Sequence, residues 1–132
     1  MKVTADTNLL VRLLTQDDER QTKLAIEALE DAELVAVTLP ALCELVWVLS
    51  QSYGVRLPAI AVGIRRLIDL RNVVSDRVAV EAGLAALDAG GDFADSVIAY
   101  QGRWLGAETF VSFDRRAVSL MQRQGLAARL LG

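Results

Sequence analysis

Histidine is missing from all 132 residues, and cysteine occurs once. Several chemistries drop out at once. There is no Ser-His-Asp triad, no Cys-His pair and no H-E-x-x-H zinc site. RNA cleavage through the 2'-hydroxyl by histidine acid and base is excluded too. A zinc site has almost no ligands to draw on. One cysteine forms no internal disulfide, which fits a reducing compartment such as the cytoplasm. Hydrolytic chemistry must then rest on carboxylates, with a hard, oxygen-preferring cation beside them.

Long uninterrupted apolar runs are also scarce. The most apolar stretch, "LVAVTLPALCELVWVLS", is broken by Pro40 and Glu44. A charge at mid-bilayer costs roughly 3 kcal/mol on insertion scales. The stretch reads as a buried strand followed by a buried helix, so no membrane span is expected. The N-terminal "MKVTADTNLL" has no apolar signal-peptide core, and Asp6 would interrupt one.

What is present is enough for a sizeable core: 53% of the residues are hydrophobic, and the length suits one domain over residues 1–132. The net charge of -3 argues mildly against a nucleic-acid partner. That average changes if acids are set aside for a metal. With Asp6, Glu44, Asp92, Asp95 and Asp114 at one site, the other 12 acids face 14 basic residues. Twelve of the basic residues are arginines, which suit bidentate phosphate contacts.

Short apolar strands alternate with helices along the chain. "KVTAD" reads as a strand, and Asn8 can cap the helix "LLVRLLT" that follows. Residues 17–32 read as an amphipathic helix with Leu24, Ala25, Ala28 and Leu29 on one face. "LVAVT" is a buried strand. Thr38 caps a helix with Pro40 in its first turn, stopped by Gly54. Next come the helix "LPAIAVGIRRLIDLR", the strand "NVVS" and the helix "DRVAVEAGLAALDAG", closed by Gly90 and Gly91. A helix from Asp92 to about Leu105, the strand "ETFVSF", a helix ending at Gly125 and the strand "AARLL" complete the order. The alternation predicts an α/β fold: a three-layer α/β/α sandwich around a mainly parallel sheet of about five strands.

Ligands in such folds bind beyond the carboxyl ends of the strands. Asp6 ends the first strand and Asp114 follows "ETFVSF". Asp92 and Asp95 open a helix, and helix starts face the same edge. Four acids from three remote segments are expected on one rim. Glu44 is the sharpest single signal. Every other residue from Ala41 to Leu49 is apolar, and no Lys or Arg occurs between Lys23 and Arg56. Burial of an unpartnered carboxylate is costly. A narrow exposed stripe is the plain alternative, but the other acids favour a cation. Clustered carboxylates repel one another unless a divalent ion compensates them, and Mg²⁺ or Mn²⁺ prefers such ligands. The ion can also lower the pKa of a water, giving a nucleophile without histidine.

"TADTNLLVRLLTQDD", the Glu44 helix and "GDFADSVIAYQGRWLGAETFVSFD" resemble PIN-domain ribonucleases, especially the VapC-like toxins of bacterial toxin–antitoxin pairs. The resemblance covers essentially the whole chain. It implies Asp6, Glu44, Asp95 and Asp114 as catalytic, metal-holding acids, with Asp92 of "DFAD" in support. Thr7 and Asn8 lie where the family orients its first acid, and Ser112 is a candidate polar neighbour. The resemblance further implies Mg²⁺-dependent endonucleolytic cleavage of RNA, with Mn²⁺ a possible substitute, leaving 5'-phosphate and 3'-hydroxyl ends. A cognate antitoxin and a homodimer are implied as partners, and the helices around Trp47 and Tyr53 can supply an interface. Core packing is the simpler role for either aromatic. Phe93, Trp104 and Phe113 likewise fit core positions better than base-stacking ones.

Two rivals stand against this reading. A haloacid-dehalogenase-type phosphatase or a phospho-receiver domain needs a downstream lysine, and the only lysines are Lys2 and Lys23. A non-catalytic PIN-like module binding RNA or protein would not need all four acids.

Overall fold

The computed structural model describes residues 1–132. The chain divides into two compact units, Met1–Arg77 and Val78–Gly132. All five strands pair in parallel, and seven helices connect or flank them. The α/β class expected from the alternation is therefore the class observed, and every expected element is present.

The first unit holds β1 (Lys2–Thr4), α1 (Thr7–Thr15), α2 (Glu19–Asp31), β2 (Leu34–Ala36), α3 (Leu39–Gln51), α4 (Leu57–Ile68) and β3 (Val73–Val74). Its sheet runs β1-β2-β3, with Val3 opposite Val35 and Val35 opposite Val73. Parallel strands need crossovers, and α1 with α2, then α3 with α4, provide them. Val35, Val37, Leu42, Leu45, Ile60 and Ile64 are nearly sealed from solvent. The Asn72 amide donates to the carbonyl oxygens of Leu29 (2.8 Å) and Ala32 (3.0 Å). Carbonyls that the end of α2 leaves open are satisfied there, which fixes the entry to β3.

The start of α2 is tied to α1 and to the end of α3 by side chains. Arg12 donates to Asp17 Oδ1 at 2.9 Å and to Gln21 Oε1 at 2.6 Å. The Thr15 hydroxyl donates to Asp17 Oδ1 and the Tyr53 hydroxyl to Asp17 Oδ2, each at 2.8 Å. Hydrogen bonds from Thr15 and Tyr53, helped by the Arg12 charge, hold the Asp17 carboxyl below its ordinary pKa. The unfolded chain then binds this proton more readily than the folded one. The stabilisation is present above the ordinary carboxylate pKa and is lost as pH falls through the lowered value. Tyr53→Phe is expected to melt below wild type at pH 7, with the gap closing in acid. A gap that stays constant from pH 7 to pH 2.5 in thermal melts would contradict this coupling.

The second unit holds α5, which starts at the boundary (Arg77–Asp88), α6 (Phe93–Trp104), β4 (Phe110–Ser112), α7 (Arg115–Arg123) and β5 (Ala128–Leu130). β4 and β5 pair in parallel, Phe110 opposite Ala128. Phe93, Val80, Leu84 and Val97 are buried. A Cβ on Gly83 would lie 2.4 Å from the Phe93 ring, so only glycine lets that ring enter.

One sheet of about five strands was expected. The hydrogen-bond ladders instead form a three-stranded and a two-stranded sheet. With strands of two or three residues, each ladder is short. No helix is long and apolar enough to cross a membrane; the longest, α2 and α3, have 13 residues each.

Candidate metal centre

In the first unit, Asp6 lies two residues past β1 and Thr38 two residues past β2, at the carboxyl edge of that sheet. The backbone at Asp6 is extended, and its Oδ1 accepts from Leu9 N at 3.0 Å. Asp6 is therefore the cap of α1, not Asn8 as expected. Asn8 already lies inside the helix, where its side chain cannot meet the first free N–H groups. Thr7 is half-buried and Asn8 exposed, both in the first turn that Asp6 caps.

Glu44 lies in the second turn of α3, which Thr38 caps through Ala41 N. It is exposed, together with Pro40, Trp47 and Gln51 along one stripe. Of the two readings of Glu44, the narrow exposed stripe is the one observed: Ala41, Leu42, Leu45, Val46 and Leu49 take the buried faces, leaving a strip one side chain wide. Trp47 is 63% exposed on that strip, so core packing is not its role. Trp104 and Phe113 are 76% and 80% exposed, also against expectation, whereas Phe93 is in the core. Sequence spacing does not separate these cases, because an aspartate stands next to both the buried Phe93 and the exposed Phe113.

In the second unit, Asp92 caps α6, its Oδ1 accepting from Ala94 N at 2.8 Å. Asp114 caps α7 in the same way, accepting from Ala117 N at 3.1 Å. The Ser112 hydroxyl oxygen accepts from Asp114 N at 2.9 Å. Ser112 therefore shapes the corner that presents Asp114. Asp95 is the N3 residue of α6 and makes no capping bond. It is partly buried, and that desolvation pushes its carboxyl pKa up; the Asp92 and Asp114 charges push it further. Three carboxylates of this unit thus feel one another.

None of the five acids pairs with an arginine or lysine. Within neither unit do three such side chains stand together as a ready-made cation site. Within each unit, the donors still suit a hard divalent ion. Every donor is a carboxylate oxygen, each capping aspartate keeps its second oxygen free, and Asp95 is uncompensated. A cleft of about 1120 Å³ in the second unit, lined by Tyr100, Arg103, Glu108 and Met121 among others, contains none of the five acids. Its lining is mainly apolar, so the carboxylates are the better guide to chemistry.

The raised pKa of Asp95 has a measurable consequence. The folded chain holds this proton more tightly than the unfolded one, so stability falls as pH rises from the ordinary carboxylate pKa through the raised value. Metal-free Asp95→Asn is expected to melt above wild type at pH 7 and level with it in acid. Added Mg²⁺ should narrow the difference at pH 7 by stabilising only the wild type. A lower melting temperature for Asp95→Asn in EDTA would mark Asp95 as a structural residue.

No curated protein matches the chain. The family model for the PIN domain matches residues 3–121, a span that includes all five acids. With nearly the whole length matched, the chain belongs to the PIN domain family.

Proposed function

We propose that this protein is a Mg²⁺-dependent endoribonuclease and the toxin of a toxin–antitoxin pair. PIN domains are mostly ribonucleases that use divalent metals, which supports the class of chemistry. The observation that carries the reading is Asp95: partly buried, beside two like charges and without a cationic partner. Such a carboxylate is costly to hold unless a cation completes it.

Asp6, Glu44, Asp95 and Asp114 are the proposed ligands, directly or through water, and Asp92 supports them. The ion would supply an activated water and charge stabilisation for the scissile phosphate. Asp6 and Asp114 are held by their own helix starts, so their free oxygens are fixed in direction. Asp95 and Glu44 have no capping duty and keep both oxygens for ligand or proton. Addition of water to phosphorus breaks the bond to the 3'-oxygen, which leaves as a hydroxyl. A 5'-phosphate remains on the other fragment. With no histidine, the chain lacks the imidazole acid and base that serve 2'-hydroxyl attack.

The antitoxin and a second copy of the chain are the proposed protein partners, and the cytoplasm the proposed compartment. Exposed Trp47 offers apolar area for such a contact. Asp6→Asn tests the catalytic reading. Asn also caps helices well, so α1 should persist while Mg²⁺-dependent cleavage is lost. Full cleavage by folded Asp6→Asn would count against a ligand role for Asp6. Absence of cleavage by every form, with RNA still bound, would favour a non-catalytic PIN-like module.

A further inference from the structure

The geometry points to Arg116 as a positioning residue that sets where α6 begins, and through it the placement of Asp92 and Asp95. The inference rests on the reading that Asp95 and Asp114 hold a cation.

The corner between α5 and α6 is very short. Gly90 takes a positive φ of 79°. Gly91 N donates to Ala86 O at 2.7 Å and Gly90 N to Leu87 O at 3.0 Å. This is the Schellman pattern that ends a helix. Its usual apolar contact comes from the residue at Gly91, which has no side chain to give. Leu120 of α7 fills that place: its Cδ2 lies 2.1 Å from where a Gly91 Cβ would be. One turn earlier on α7, Arg116 Nη2 donates to Gly90 O at 3.1 Å. Arg116 and Leu120, at i and i+4, thus grip the two glycines from α7. The next residue after the grip is Asp92, the cap of α6.

The helix that grips is the one capped by Asp114. One rigid helix therefore carries Asp114 at its start and, two residues on, the arginine that holds the approach to Asp92 and Asp95. The placement is also uphill for α7 itself. Arg115 and Arg116 occupy its first turn, where the helix dipole disfavours positive charge. Arg116 has a bond to show for that position. Arg115 has no such contact.

Sign separates positioning from charge. Removing a positive side chain near a cation site strengthens cation binding by simple electrostatics. Removing a positioning residue weakens it, commonly by 10-fold or more. Mn²⁺ titration calorimetry on the full chain is compared for wild type, Arg116→Ala and Arg115→Ala. Amide exchange at Ala94, the donor to Asp92 Oδ1, is followed in the same proteins without metal. Arg116→Ala should bind Mn²⁺ about 10-fold more weakly and exchange Ala94 faster. Arg115→Ala should match or exceed wild type in affinity and leave Ala94 unchanged. Either readout at the wild-type level in Arg116→Ala overturns the inference. If wild type itself binds no Mn²⁺, the nuclease reading falls, and Ala94 exchange alone decides the grip. Should Arg116→Ala melt below the assay temperature, Arg116→Lys is judged on the same criteria.

Discussion

Asp95→Ala is expected to lose Mg²⁺-dependent RNA cleavage by about 100-fold or more, because a ligand ion contributes several kcal/mol to phosphoryl chemistry and each 1.4 kcal/mol is tenfold in rate. Asp92→Ala should keep a measurable fraction of activity. The two aspartates stand three residues apart at one helix start, yet their oxygens face different tasks. Asp92 turns Oδ1 to Ala94 N, whereas Asp95 makes no bond to its helix and carries the raised pKa. Loss of the Asp92 cap should cost roughly 1 kcal/mol of stability. Loss of Asp95 should not destabilise the metal-free chain. Cleavage assays at saturating Mg²⁺, with melts of each variant, check both halves. An inactive Asp92→Ala beside an active Asp95→Ala would reverse the assignment. Two inactive, well-folded variants would mean that the pair acts on the metal together.

Gly83→Ala is the substitution with the largest expected effect on stability. Its Cβ would meet three Phe93 ring atoms at 2.4 to 2.8 Å. The ring is fully buried and opens α6 at its first position, so it has nowhere to swing. Overpacking of this kind costs about 1–3 kcal/mol. Phe93 is also the residue between Asp92 and Ala94, so displacement of the ring strains the cap. Gly83→Ala should therefore both melt early and weaken Mg²⁺-dependent cleavage. Gly91→Ala should be milder, because the clash there is with the end of a flexible leucine. Denaturant melts that show Gly83→Ala level with wild type would contradict this packing account.

The helices and strands were legible because their ends are written in local chemistry. Asp18, Thr38, Asp92 and Asp114 cap where an acid or hydroxyl precedes an apolar period. Gly54, Gly90 and Gly125 take positive φ where those periods stop. Asn8 misled because Asp6, two residues earlier, is as good a cap and stands where the chain is still extended. Exposure was less legible. An apolar helix such as α3 hides how many of its faces are covered, so Glu44 stood between a buried and an exposed reading, and Trp47 read as a core residue and is not. For the candidate site, the sequence showed which acids stand at strand ends and helix starts. It did not show that Asp95 is partly buried and has a raised pKa, since burial depends on packing. Nor did it show Arg116 on Gly90, a contact between residues 26 positions apart.

Cleavage of an unstructured RNA by the purified chain, with analysis of the product ends, tests the central claim most directly. The account predicts cleavage with Mg²⁺, none in EDTA, and fragments with 5'-phosphate and 3'-hydroxyl ends. Cleavage that persists in EDTA, or fragments ending in 2',3'-cyclic phosphate, would contradict it.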